Sequence, residues 1–343
     1  MEILISLGLI AIGVVLTVIG SNILVDGASA IAKKFNISDL IIGLTIVAFG
    51  TSSPELAVNI MSSISGKTDI AIGNILGSNI FNVFIILGIA AVIYPVRVQS
   101  ASVWIEIPMS LLAALMVGVM ANDIFFDGGF GNKSNAVTMN VITRTDALTL
   151  LGFFVVFMYY TVYASRNTQE DLKDELSKET HGELEGKALM SSGKATLFII
   201  GGLVALYFGS DWLVQGAIII AKSAGLSDAI IGLTIIAAGT SVPELATSAT
   251  AAYKKNSDIA IGNVVGSNIF NIFFILGVSG LINPLPFNSP TAAVDISMTI
   301  LSSIMMFTFT LAGKGRMISK GEGSVLIGIY IAYVAYLIST VAK

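Results

Sequence analysis

Cysteine is absent from the chain, which excludes a disulfide framework, a thiolate metal site and a cysteine nucleophile. Histidine occurs once, at His181, within a charged loop. Charge itself is scarce, at 12% of 343 residues, against about a quarter in soluble domains, and this excludes an ordinary water-soluble fold. No nucleophile–base pair, phosphate-binding loop or catalytic metal cluster is apparent, so an enzyme is not expected. The net charge of −4 carries little information, because orientation in a membrane depends on where lysine and arginine sit.

What is present is apolar: 55% of residues are hydrophobic, and several runs exceed the roughly 20 residues that cross a bilayer. Reading apolar runs between polar breaks predicts about ten transmembrane helices, near 3–25, 38–64, 69–95, 99–121, 146–165, 195–221, 227–252, 258–283, 289–312 and 323–341. Residues 3–25 are too long for a signal peptide and lack a basic n-region, so they read as the first span. One strongly charged segment, 166–194, is expected to be a cytoplasmic connector between a first unit, 1–165, and a second, 195–343. The stretch 122–145 reads as a long loop with no assigned function.

With the amino terminus placed outside, thirteen of the 18 basic residues fall in inner loops, among them Lys33, Lys34, Arg97, Lys254 and Lys255. That bias predicts both termini outside.

The chain also repeats itself. Residues 43–55 read GLTIVAFGTSSPE and 232–244 read GLTIIAAGTSVPE, and the same offset of 189 aligns 27–95 onto 216–284 without a gap. Five spans per copy is an odd number, so the second copy enters from the opposite side. The expected architecture is therefore an all-α integral membrane protein of two inverted five-helix repeats. Broken helices meet at the midplane, where transporters of this layout bind substrate.

Each copy places a glutamate, Glu55 or Glu244, directly after a proline inside an apolar span. Proline removes an amide hydrogen and excludes the carbonyl four residues back, and an unpaired carbonyl in hydrocarbon needs protein, water or an ion. Thr51 lies four residues before Glu55, and Thr240 four before Glu244, so hydroxyl, freed carbonyl and carboxylate share a helix face. The following spans carry GNILGSNIFN (73–82) and GNVVGSNIFN (262–271), in which Ser78 and Asn82, and Ser267 and Asn271, are again four apart. This all-oxygen donor set suits hard cations such as Ca²⁺ or Na⁺ better than Zn²⁺ or Cu²⁺. A lone intramembrane glutamate can be a structural hydrogen-bonding group; two copies in matched surroundings point to function.

The paired GTS-x-PE and GSNxFN segments resemble the alpha repeats of the sodium/calcium exchanger branch of the cation/calcium antiporter superfamily. The resemblance implies Ca²⁺ held between Glu55 and Glu244 with main-chain oxygens of Thr51 and Thr240. It further implies Na⁺ sites drawing on Ala48, Thr51, Ser52, Ser78, Ala237, Thr240, Ser241 and Ser267 with the two glutamates. Asn82 and Asn271 are both amides here, closer to potassium-independent exchangers. No acidic residue occurs in 73–82 or 262–271, which favours sodium over proton coupling.

The expected function is thus a plasma-membrane antiporter exchanging Na⁺ for Ca²⁺ by alternating access, in which spans one and six slide over a fixed core. It has the two ions as substrates, the lipid bilayer as surroundings, and no cofactor, nucleic acid or protein partner indicated. A proton/Ca²⁺ antiporter using the same glutamates and, more distantly, a cation channel are the alternatives. Glu106 and Asp295, also 189 apart, sit in the first turns of their helices and read as structural. Asn22 and Asp211 read as packing or gating contacts, and Asp39, Asp69, Asp228 and Asp258 as helix caps.

Overall fold

A computed structural model describes residues 2–35, 37–99, 103–129, 139–178, 190–223, 237–287, 292–312 and 315–341. The first half runs α1 (Glu2–Phe35), α2 (Asp39–Ile42), α3 (Ala48–Thr51), α4 (Ser53–Ile64), α5 (Thr68–Phe81), α6 (Gly88–Ile93), β1 (Val96–Arg97), α7 (Glu106–Met120), α8 (Asp123–Gly129), β2 (Val141–Ile142) and α9 (Arg144–Lys178). The second half runs α10 (Ser192–Ser223), α11 (Ala237–Gly239), α12 (Val242–Tyr253), α13 (Ser257–Ile269), α14 (Gly277–Ile282), β3 (Leu285–Pro286), α15 (Ala292–Ala312), β4 (Met317–Ile318) and α16 (Lys320–Val341). Wide π-helical turns, Gly43–Val47, Asn82–Leu87 and Phe270–Leu276, join α2 to α3, α5 to α6, and α13 to α14.

Among the described residues, seven helices are long and apolar enough to cross a membrane, and eight if the bent pair Asp39–Thr51 and Ser53–Ile64 is one span. The span expected at 99–121 is represented by the 15-residue α7, and the one expected at 227–252 lies partly outside the described residues. Helix α9 continues to Lys178, into the charged segment read from sequence as a connector beginning at 166. Apolar side chains such as Leu4, Val155, Leu197 and Ile331 are exposed on helix surfaces, the arrangement a lipid-facing exterior requires.

Helices α1 and α10 pack antiparallel along their lengths, and glycine sets the distance. A Cβ added at Gly13 would lie 2.7 Å from the Gly209 carbonyl, one at Gly20 2.9 Å from that of Gly202, and one at Gly216 2.7 Å from that of Ser6. These glycines recur every seven residues, at 13, 20 and 27 and at 202, 209 and 216. The two helices therefore touch backbone to backbone, as small residues allow between membrane helices.

The other helices enclose one continuous core containing Leu44, Ile75, Phe84, Phe157 and Phe273. Two short ribbons bind the halves together at its edges. In one, Val96 and Arg97 of β1 pair antiparallel with Ile318 and Met317 of β4; in the other, Val141 and Ile142 of β2 pair with Pro286 and Leu285 of β3. The offset of 189 carries Val96 onto Leu285, so the ribbons are counterparts. Glu106 and Asp295 are likewise built into this frame, accepting hydrogen bonds from Tyr160 on α9 (3.2 Å) and Tyr333 on α16 (2.6 Å).

The caps differ from the sequence reading. Ser38, not Asp39, accepts from the Ile41 N–H at 3.3 Å, and Asn256, not Asp258, accepts from the Ile259 N–H at 3.1 Å. Asp39 and Asp258 instead accept from Asn256 and Gln99, each at 2.6 Å. Asp69 is the second residue of α5 and Lys67 occupies the cap position; Asp228 lies outside the described residues.

Candidate functional site

Pro54 and Pro243 stand at the second position of α4 and α12, where the missing N–H costs no helical bond. The preceding helix must stop, and it does so at Ser52 (φ −82°, ψ 9°) and Ser241 (φ −90°, ψ 8°). Both lie in the sparsely populated bridge region common at functional sites. In the first half the break bends the span by 46°. Each serine hydroxyl leaves its own half at the break and crosses to the other.

Ser52 Oγ donates to Glu244 Oε1 at 2.8 Å and contacts Ser267 Oγ at 3.1 Å. Ser241 Oγ donates to Glu55 Oε1 at 3.0 Å and contacts Ser78 Oγ at 3.1 Å. Ser78 also lies 3.4 Å from Glu55 Oε1. Six of the residues singled out from sequence thus form one crossed cluster, in which the contacts of Ser52 have counterparts 189 residues on in those of Ser241. Both glutamates are 1% exposed.

One oxygen of each carboxylate is accounted for; the other is not. Glu55 Oε2 and Glu244 Oε2 are buried without a hydrogen-bond partner, and among the described residues neither glutamate forms a salt bridge. Two carboxylates buried without positive charge are costly, so the arrangement can accept a cation.

The threonines are placed beside this cluster. Thr51 Oγ1 donates to Asn263 Oδ1 at 3.1 Å, and Thr240 Oγ1 to Asn74 Oδ1 at 3.3 Å. The same two asparagines donate to the main-chain oxygens of Glu244 (3.2 Å) and Glu55 (3.4 Å). Asn74 and Asn263 are therefore braces that sequence reasoning passed over, although both stand in the quoted GN motifs. Ala48 is fully buried, and its carbonyl already accepts from Ser52 N (3.0 Å), with Thr51 Oγ1 3.3 Å away. Ala237 opens α11, and its side chain lies outside the described residues.

Asn82 opens one π-helical turn and Asn271 is the second residue of another. Both are buried, and their Oδ1 atoms lack a hydrogen-bond partner. Two cavities approach the cluster beside α10. One, of about 210 Å³, includes Thr51, Pro54, Leu206 and Pro243; the other, of about 200 Å³, includes Ala57, Ser210, Asp211 and Thr240.

Known proteins share this organisation. Residues 5–163 and 194–339 match the family described as sodium/calcium exchanger protein. The putative antiporter CaxA of Alkalimonas amylolytica is 36% identical over 96% of this chain and 98% of its own length. The sodium/calcium exchanger MaX1 of Methanosarcina acetivorans is 33% identical over 96% and 97%. A solved structure of the sodium–calcium exchanger NCX_Mj, 29% identical, superposes with a TM-score of 0.78 over 97% of this chain and 98% of that one. Both halves of the sequence and the fold they build thus lead to one assignment: the chain belongs to the sodium/calcium exchanger family, a multi-pass membrane protein and cation/Ca²⁺ antiporter.

Proposed function

We propose that this antiporter exchanges Na⁺ for Ca²⁺ by alternating access, with Glu55 and Glu244 as the shared charge that either ion set neutralises. The observation that carries the reading is the pair of buried carboxylates, each with one oxygen bonded by the opposite half and one left without a partner. With no cation bound, occluding them is unfavourable, so the empty carrier rarely changes sides and the two fluxes are coupled. Ca²⁺ takes about 6–8 oxygens; the glutamates and the main-chain oxygens of Thr51 and Thr240 begin that set. Na⁺ draws on Ala48, Thr51, Ser52 and Ser78, and on Ala237, Thr240, Ser241 and Ser267, together with the two glutamates, and Asn82 and Asn271 add further oxygens for either ion. Sodium rather than protons is favoured by the absence of an acid in 73–82 and 262–271, and by the kinship with MaX1.

Ten spans in two inverted units, 1–165 and 195–343, with 166–194 on the cytoplasmic side of the plasma membrane and both termini outside, complete the proposal. The distribution of basic residues supports this orientation.

The test is Ca²⁺ uptake into Na⁺-loaded proteoliposomes. Uptake is expected with an outward Na⁺ gradient and to vanish in Glu55→Gln and in Glu244→Gln. Uptake driven by a pH gradient without sodium overturns sodium coupling, and Ca²⁺ current with no counter-ion overturns exchange.

A further inference from the structure

Four buried asparagines, Asn79, Asn82, Asn268 and Asn271, meet where α5 and α13 run into their π-helical turns, and each is at most 2% exposed. Asn82 Nδ2 donates to Asn268 Oδ1 at 3.0 Å, and Asn271 Nδ2 donates to Asn79 Oδ1 at 2.9 Å. Asn79 Nδ2 in turn donates to the main-chain oxygen of Asn268 at 3.3 Å. Every one of these bonds joins the first half to the second.

Their direction has a chemical meaning. An amide presents an oxygen at one end and an NH₂ at the other, in nearly the same shape. One turn beyond the serines of the carboxylate cluster, an unrestrained asparagine is free to present its NH₂, a donor where a cation needs an acceptor. Here one N–H of Asn271 is taken by Asn79, and one of Asn82 by Asn268. Reversing Asn271 would set its oxygen against Asn79 Oδ1 with no proton between them. Asn79 cannot reverse to accommodate this, because its own NH₂ is held by a main-chain oxygen. What remains at Asn82 and Asn271 is an oxygen that is buried and without a partner. It stands one helical turn beyond Ser78 in the first half, and beyond Ser267 in the second.

We infer that Asn79 and Asn268, the central asparagines of the two GSN motifs, are positioning residues that hold the amides of Asn82 and Asn271 with their oxygens left free and so set the site's affinity for cations. The inference rests on the antiporter reading and deepens it. It also bears on charge: a carboxylate at 271 would face Asn79 Oδ1 as acceptor against acceptor, so this frame favours a neutral amide there. The site's formal charge then comes from Glu55 and Glu244 alone.

The experiment uses the full chain purified in detergent and reconstituted in proteoliposomes, with Asn79→Leu, Asn79→Ser and Asn268→Ser. Equilibrium ⁴⁵Ca²⁺ binding gives Kd, and Na⁺-driven ⁴⁵Ca²⁺ uptake gives KM and the maximum rate. Removing a partner that orients a metal ligand weakens binding about 10–100-fold, so Kd and KM for Ca²⁺ are expected to rise by that factor while the maximum rate at saturating Ca²⁺ is retained. The serine variants keep a small polar group and guard against failure of the leucine variant to fold; each is scored only as protein eluting like the wild type. An unchanged Kd in such protein overturns the inference, as does a fall in maximum rate with unchanged KM, which marks a merely structural part. Glu55→Gln is measured alongside. If it keeps exchanging, the antiporter reading falls; if it is inactive while the Asn79 variants bind Ca²⁺ normally, the positioning role alone falls.

Discussion

Helix α1 against the corner between α12 and α13, and helix α10 against the corner between α4 and α5, are the same place in the two halves, yet among the described residues only one is fastened. On the α1 side, Ser21 and Thr250 hydroxyls are 2.8 Å apart, and Lys254 Nζ donates to the Asn22 carbonyl at 3.0 Å and to Asp26 at 2.8 Å. Asn256 reaches Ser29 at 3.2 Å. On the α10 side the counterparts Ser210 and Asp211 line a cavity with Thr240, and among the described residues Asp211 bonds only along its own helix, to Gln215 at 2.7 Å. The reason is written 189 residues apart: Thr250, Lys254 and Asn256 correspond to Met61, Ser65 and Lys67. A duplicated backbone thus carries unduplicated side chains, and among the described residues the bonds gather on the α1 side while two cavities approach the cluster beside α10.

The comparison assumes that α1 and α10 act as one body, so the most damaging test separates them. Gly209→Leu would place a Cβ 2.6 Å from Thr17 Oγ1 and 2.7 Å from its backbone nitrogen. Overpacking of this kind is expected to cost about 3 kcal/mol, seen as a fall in the thermal midpoint of the purified protein.

Next comes conversion of the fastened corner into the open one with Thr250→Met, Lys254→Ser and Asn256→Lys together. The change cuts the four bonds that Thr250, Lys254 and Asn256 make to α1, none of them fully buried, and at the lower end of the usual range, about 0.5 kcal/mol each, a loss of about 2 kcal/mol is expected. Because the chain has no other thiol, Ala251→Cys, buried at this corner, reports the change. Its modification by a soluble reagent should accelerate at least about tenfold, 1.4 kcal/mol being a factor of ten; an unchanged rate breaks the comparison.

Asp26→Asn alone removes a pair that is partly solvent-exposed. Such pairs contribute at most about 1 kcal/mol and weaken with salt, so the same rate should rise less than about fivefold and lose its difference from the parent in high salt. Smallest of all, Gln215→Ala cuts a bond between two exposed side chains on α10. Substitutions of that sort stay within about 0.5 kcal/mol, and labelling at position 251 should not change.

The offset of 189 made much of this legible in the sequence. It singled out Glu55, Ser52, Ser78 and their counterparts, which the fold gathers into one cluster, because a proline-preceded glutamate in an apolar span has few other uses. The crossed pairing did not follow from spacing: that Ser52 serves Glu244 rather than its own Glu55 depends on how the halves meet. Asn74, Asn79, Asn263 and Asn268 were visible in the quoted motifs, but an asparagine's job is set by which end of its amide is taken, and that needs a tertiary partner. The aspartates at helix starts were misread as caps because Ser38 and Asn256, one and two residues earlier, compete for the same N–H groups. The ribbons at Val96 and Val141 are two residues long, too short to show any alternation.

The seven-residue rhythm of glycines in α1 and α10 has a mechanical corollary. Sliding one helix along the other by a single turn would carry Leu206 or Leu213 to the spot now held by Gly209, where the facing backbone leaves room for a hydrogen atom and nothing larger. The two rods are keyed like a tongue in its groove: whatever displacement the transport cycle demands of either must be taken up at their outer faces, not along the seam between them.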